Sequence, residues 1–132
     1  MAFRLSTAKE PHSGIVTWNI PGDGEPLEIS FKAIFKRLTQ DGIKELLDDI
    51  RIAWGGVTDP ESLSEEDRAV TPKTNREMVL RVFGGWSDVE GSDGNPLPFN
   101  DVSRDDMLSI QGAEVAVLNS WFGSITGANA GN

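Results

Sequence analysis

Apolar and polar residues alternate along two early stretches of the chain. In "GIVTWNI" (14–20) the alternation sets Val16, Trp18 and Ile20 on one face. In "LEISFKAIF" (27–35) it sets Leu27, Ile29, Phe31, Ala33 and Phe35 opposite Glu28, Ser30 and Lys32. A period of two is that of a half-buried strand. The intervening "PGDGEP" is turn chemistry, with proline fixing φ and glycine admitting positive φ. The pattern predicts a β-hairpin within residues 13–38, its strands near 15–20 and 27–35, and Phe3 and Leu5 offer a short further edge strand.

Around Leu38-Thr39 the period changes to 3.6. Ile43, Leu46, Leu47, Ile50, Ala53 and Trp54 recur at helical spacing, which predicts a helix over 40–54. Thr39 is placed to cap it, Asp41 sits in the first turn, where the helix dipole favours a negative charge, and Gly55-Gly56 ends it. Residues 57–73 are polar, and Asp59-Pro60 could start a short helix running to about Arg68. Thr74 and Glu77 have capping-box spacing, predicting a helix to about Phe83 that stops at Gly84-Gly85. Ser103 and Asp106 suggest a further cap, with Val102 and Met107 spaced as a hydrophobic staple, for a helix ending near Gly112. A last helix sets Val115, Leu118, Phe122 and Ile125 on one face with Val117 and Trp121 beside them. Strands first and helices afterwards predict an α+β fold. The expected form is a small N-terminal antiparallel hairpin or sheet packed against about four to five helices, as one domain over 1–125 with a flexible tail at 126–132.

The 132 residues suit a single domain able to bury a core unaided. With no cysteine, disulfides, thiolate chemistry and zinc–sulfur sites are excluded. Twelve Lys and Arg against twenty-one Asp and Glu give a net charge of −9, the wrong sign for a nucleic-acid surface or an anionic membrane. The N-terminal residues lack the apolar run of a signal peptide, and no stretch approaches a membrane span.

Candidate chemistry is thin. The loop "SDVEGSDGNPLPF" (87–99) fails as an EF-hand begun at Asp88, because Asp93 stands where glycine is required and Phe99 where a bidentate Glu belongs. No phosphate-binding loop or Gly-x-Ser-x-Gly is present. The one histidine, His12, lies in a polar segment beside Pro11 and reads as an exposed loop residue. Asp48-Asp49, Glu65-Glu66 and Asp105-Asp106 read as solvated helix faces. The expectation is a protein that is not an enzyme and needs no metal or cofactor. The loop reads as structural instead: Leu97 and Phe99 should fold back onto Trp86, held extended by the flanking prolines. Trp18 and Trp54 read as core. For the adjacent pair Trp121-Phe122 core and partner contact are equally open, and Trp121, Phe122 and Ile125 are the candidate partner-binding residues.

"FKAIFKRLTQDGIKELL" (31–47) and "VLRVFGGWSDVEGSDGNPLPFNDVSRDDML" (79–108) together resemble the tail assembly chaperones of long-tailed, siphovirus-type bacteriophages and prophages, in matching order over about 13–125. The resemblance implies a non-enzymatic protein of the bacterial host cytoplasm, absent from the mature virion. Such a protein binds the long helical tape measure protein and helps to recruit tail tube subunits. It leaves self-association open, and also a longer, frameshifted form extending from the Gly/Ala/Asn-rich end. The alternative is a minor tail or adaptor subunit retained in the virion.

Overall fold

The computed structural model describes residues 10–54 and 73–126. Within them three strands and four helices form an α+β fold. These are β1 (His12–Ile20), β2 (Leu27–Phe35), α1 (Gln40–Trp54), α2 (Asn75–Leu80), β3 (Phe83–Ser87), α3 (Asp101–Leu108) and α4 (Ala113–Ile125). The sheet is antiparallel throughout, in the order β1-β2-β3.

The hairpin forms as the alternation predicts. β1 and β2 pair from His12↔Phe35 to Ile20↔Leu27 without a break. Val16, Phe31, Ala33 and Phe35 are buried on the inner face, with Trp18 partly covered, while Ile15, Thr17, Lys32 and Ile34 face outward. Helix α1 also matches. The Thr39 hydroxyl accepts from the Gly42 amide at 3.1 Å, Leu46 is fully buried, and Ile43, Leu47, Ile50 and Ala53 pack against the core. Trp54, expected in the core, lies at its rim. Its Nε1 donates to Asn75 Oδ1 at 2.6 Å and so links the end of α1 to the start of α2. Asp49 and Arg81 join the same two helices in an ion pair at 2.6 Å. The expected edge strand at Phe3–Leu5, the Gly55-Gly56 stop and the short helix from Asp59 lie outside the described residues.

The largest departure follows α2. The Thr74 hydroxyl accepts from the Glu77 amide at 3.1 Å as predicted, but the helix ends at Leu80, tightened by Arg81 N–H to Met78 O and Val82 N–H to Val79 O. Gly84-Gly85 does not stop a helix; it lies inside β3, which closes the sheet against β2. The register pairs Ala33 with Trp86, Ile34 with Gly85 and Phe35 with Phe83, so Gly84 is the extra residue of a bulge. That bulge puts Phe83 and Trp86 on the same buried face although they are three apart. Three is a helical spacing, so this strand reads as helix to any test of periodicity. A strand between helices also corrects the expected order of all strands before all helices.

Beyond β3 the acidic loop folds into a small hairpin, with a Glu90↔Pro96 bridge and Leu97 N–H to Val89 O at 2.9 Å. Asp88 (φ 64°) and Gly94 (φ 79°) take left-handed conformations at its bends. The chain returns onto Trp86 as the sequence predicts. Trp86 Nε1 donates to Leu97 O at 2.8 Å, and its ring meets Phe99 edge-on at 4.9 Å. Helix α3 is capped three residues before the cap expected at Ser103. Asn100 is the cap, its Oδ1 accepting from Ser103 N–H at 2.9 Å while Ser103 Oγ accepts from Asn100 N–H at 3.0 Å. Ser103 therefore occupies the third helical position of the capping box. Val102 is 80% exposed and makes no staple.

Candidate interaction surface

Helix α4 carries the predicted contact residues, and its seat on the sheet determines which of them face outward. Gly112 precedes it with φ 84°, a conformation that a β-carbon disfavours, and a β-carbon there would lie 3.1 Å from Trp18 Cδ1. The close approach lets Trp18 Nε1 donate to Gln111 O at 2.9 Å. From that point α4 runs back along β1. Ser120 Oγ donates to Ile15 O at 2.7 Å, and Ser124 Oγ meets His12 Nε2 at 2.8 Å. Arg76 of α2 holds the first turn through Glu114 at 2.7 Å.

His12 is therefore a strand residue, partly buried, rather than an exposed loop residue. Its ring tilts over Phe35 at 5.6 Å. The Ser124 hydroxyl has a single proton and donates it to Trp121 O at 2.6 Å, so it accepts from His12 Nε2–H. That assigns the neutral tautomer with its bare Nδ1 buried and without a partner. Burial, and then the charge of nearby Arg37, holds the His12 pKa below its ordinary value.

The helix presents a face rotated from the predicted one. Ala113, Val117, Leu118, Ser120 and Trp121 are buried, while Val115 and Phe122 face outward. The small Ser120 sits where Gly14 of β1 passes closest, since a β-carbon on Gly14 would lie 3.2 Å from its Oγ. This contact fixes the rotation and turns Trp121 inward. Of the predicted contact trio, Trp121 is 1% exposed and belongs to the core, a correction to its candidacy as a contact. Phe122 is 48% exposed, and Ile125 is half-buried against the core. Two adjacent aromatics on a helix cannot share one buried face, and the larger ring took the interior.

Elsewhere no cluster of three or more His, Asp or Glu side chains among the described residues is arranged to hold a metal ion. In the acidic loop, Asp93 folds onto its own chain, Oδ1 accepting from Asn95 N–H at 3.0 Å and Oδ2 from the Asn95 side chain at 3.2 Å. The backbone bond first, then the side-chain bond, lowers the Asp93 pKa. A groove of about 570 Å³ lies between β1 and α4, lined by Ile15, Thr17 and Asn19 on the strand and Val115, Ala116 and Asn119 on the helix. No periodicity in either segment alone announces this groove, because it exists only where α4 crosses the sheet edge. No helix among the described residues is long and apolar enough to cross a membrane. No protein-family description, curated protein or solved structure matches the chain.

Proposed function

We propose that the protein is a non-enzymatic tail assembly chaperone that binds a helical segment of a phage tape measure protein. The resemblance of residues 31–47 and 79–108 to that family supports the reading, and the observation that carries it is Phe122. A large aromatic half exposed on a well-seated helix, with Ile125 one turn on, is a ready anchor for an apolar helix stripe. Trp121 supports the surface from beneath, holding the helix in place rather than touching the partner. The net charge of −9 keeps the free protein soluble and favours encounter with basic stretches of a partner.

Co-expression with a phage tape measure protein should keep that protein in the soluble fraction. Phe122→Ala should weaken this while leaving the melting temperature nearly unchanged, whereas Trp121→Ala should act by unfolding the domain. Equal solubilisation by a folded Phe122→Ala variant would move the contact surface elsewhere, and no association at all would sink the chaperone reading. Mass spectrometry of purified virions separates this function from that of a retained tail subunit, which would be found in the particle.

A further inference from the structure

His12, the single histidine of the chain, is the first residue of β1 and lies against the last turn of α4. Its two ring nitrogens are in opposite situations. Nε2 meets Ser124 Oγ at 2.8 Å across 112 residues of chain, and that hydroxyl is in turn fixed to Trp121 O at 2.6 Å. Nδ1 is buried and has no hydrogen-bond partner. A bare acceptor there forfeits one bond to water. A proton on it makes the ring a cation with a buried donor that nothing accepts, which costs far more. The charges around the ring do little to offset that cost. Arg37, just past β2, has the same sign as the cation, and its Nε is held by Glu10 O at 2.9 Å. Glu10 itself is exposed, so its carboxylate acts only through water. Glu28 and Lys32 of β2 stand on the opposite face of the sheet from Phe35, which the His12 ring touches. The charged residue of α4, Glu114, is at its far end and bound to Arg76. The carbonyls that end α4 favour a positive charge, but burial and Arg37 prevail, and the His12 pKa lies below its ordinary value.

We propose that His12 is a proton-operated latch: the neutral ring pins the last turn of α4 to the start of β1, and its protonation releases residues 122–126 while the sheet stays folded. The charged ring can satisfy Nδ1–H only by turning toward water, and that movement breaks the Nε2 contact with Ser124. Little else holds the turn. Gly123 lies within it and is a poor helix former, no basic residue stands in it to meet the last carbonyls, and Phe122 is 48% exposed. Trp121 and Leu118, one turn earlier, are core residues and keep the rest of α4 in place. Opening of one helix end below the level of global unfolding is therefore the least costly response to the proton. In the released turn His12 regains its ordinary pKa near 6.5, whereas in the closed one it is lower. Release thus sets in as the pH falls below 6.5 and saturates below the closed-state value. Phe122 and Ile125 lie on the released turn, so acid also disperses the proposed anchor; that consequence alone rests on the chaperone reading.

The test is NMR of the full chain, without any partner, between pH 7.5 and 5. With one histidine present, its ring protons report the titration without ambiguity. Amide hydrogen exchange, corrected for the intrinsic pH dependence of exchange, reports the opening. In the wild type, protection of residues 122–126 should fall by up to about tenfold per pH unit between 6.5 and the closed-state pKa, while the amides of Phe31–Phe35 keep theirs. His12→Gln retains a donor for Ser124 and takes up no proton, so its protection should not change over this range. Ser124→Ala removes the contact from the other side, and should show low protection of the turn already at pH 7.5. A His12 pKa at or above 6.5 in the folded chain overturns the proposal. So does a loss of protection that His12→Gln shares, or one that the Phe31–Phe35 amides follow in step. A Ser124→Ala variant with the full wild-type pH response overturns it as well.

Discussion

Edge strand β3 spans five residues, carries a bulge and is fastened by its own downstream loop, whereas edge strand β1 spans nine, runs unbroken and leans on a helix from the far end of the chain. The first is held by aromatic packing. Trp86 touches Phe31, Phe83 and Phe99 at ring distances of 6.3, 6.0 and 4.9 Å and donates to Leu97 O. The second is held along α4 and the turn before it by three side-chain hydrogen bonds, Trp18 to Gln111 O, Ser120 to Ile15 O and His12 to Ser124. A strand locked by buried rings has little left to offer a partner. Strand β1 is instead seated by polar contacts to the far end of the chain.

If that contrast is right, the largest loss should come from the β3 side. Trp86→Ala removes a buried large aromatic and strands the Leu97 carbonyl, and should cost about 3–5 kcal/mol in denaturant unfolding. A loss under about 1 kcal/mol would mean that the ring cluster is not what holds β3.

The β1 side should respond more gently. Gly112→Ala forces a β-carbon into the left-handed region and against Trp18, and should cost about 1–2 kcal/mol. Its melting temperature, followed by circular dichroism, should fall relative to the wild type, and an unchanged value would mean that the approach of Trp18 to Gly112 does not help to seat α4.

The smallest effect should be the pH response of His12. The fold holds its pKa below the ordinary value near 6.5, because burial and then Arg37 disfavour the imidazolium. The unfolded chain therefore binds more protons just below 6.5. Stability from this source is full above that pH and is lost as the pH falls through the folded value. Thermal melts between pH 7.5 and 5 should show a decline that His12→Gln flattens. A profile unchanged by the substitution would remove His12 from the account of how α4 is held.

The hairpin, α1 and the return of the acidic loop onto Trp86 were legible because each is governed by neighbours in the chain. Alternation, an N-cap and prolines around Leu97 act within a few residues, and the fold kept them. The exposed side of α4 was legible only as a pair, since Trp121-Phe122 announces that one aromatic must turn outward without saying which. The cap at Asn100 could have been found, because Asn-x-x-Ser is a capping pair of the same spacing as the Ser103–Asp106 pair.

By itself the sequence determined an acidic, cysteine-free α+β chain with a regular N-terminal hairpin, since composition and local period are properties of the chain alone. Tertiary structure decided the rest. Phe83 and Trp86 share a face only because a bulge opposite Ile34 and Phe35 absorbs Gly84, and a bulge is defined by the partner strand. Trp121 is core and Phe122 surface only because Ser120 must pass Gly14 and reach the Ile15 carbonyl, a contact across more than a hundred residues of chain. Periodicity can say that a face is buried, but the angle at which a helix is turned is set by what it rests on.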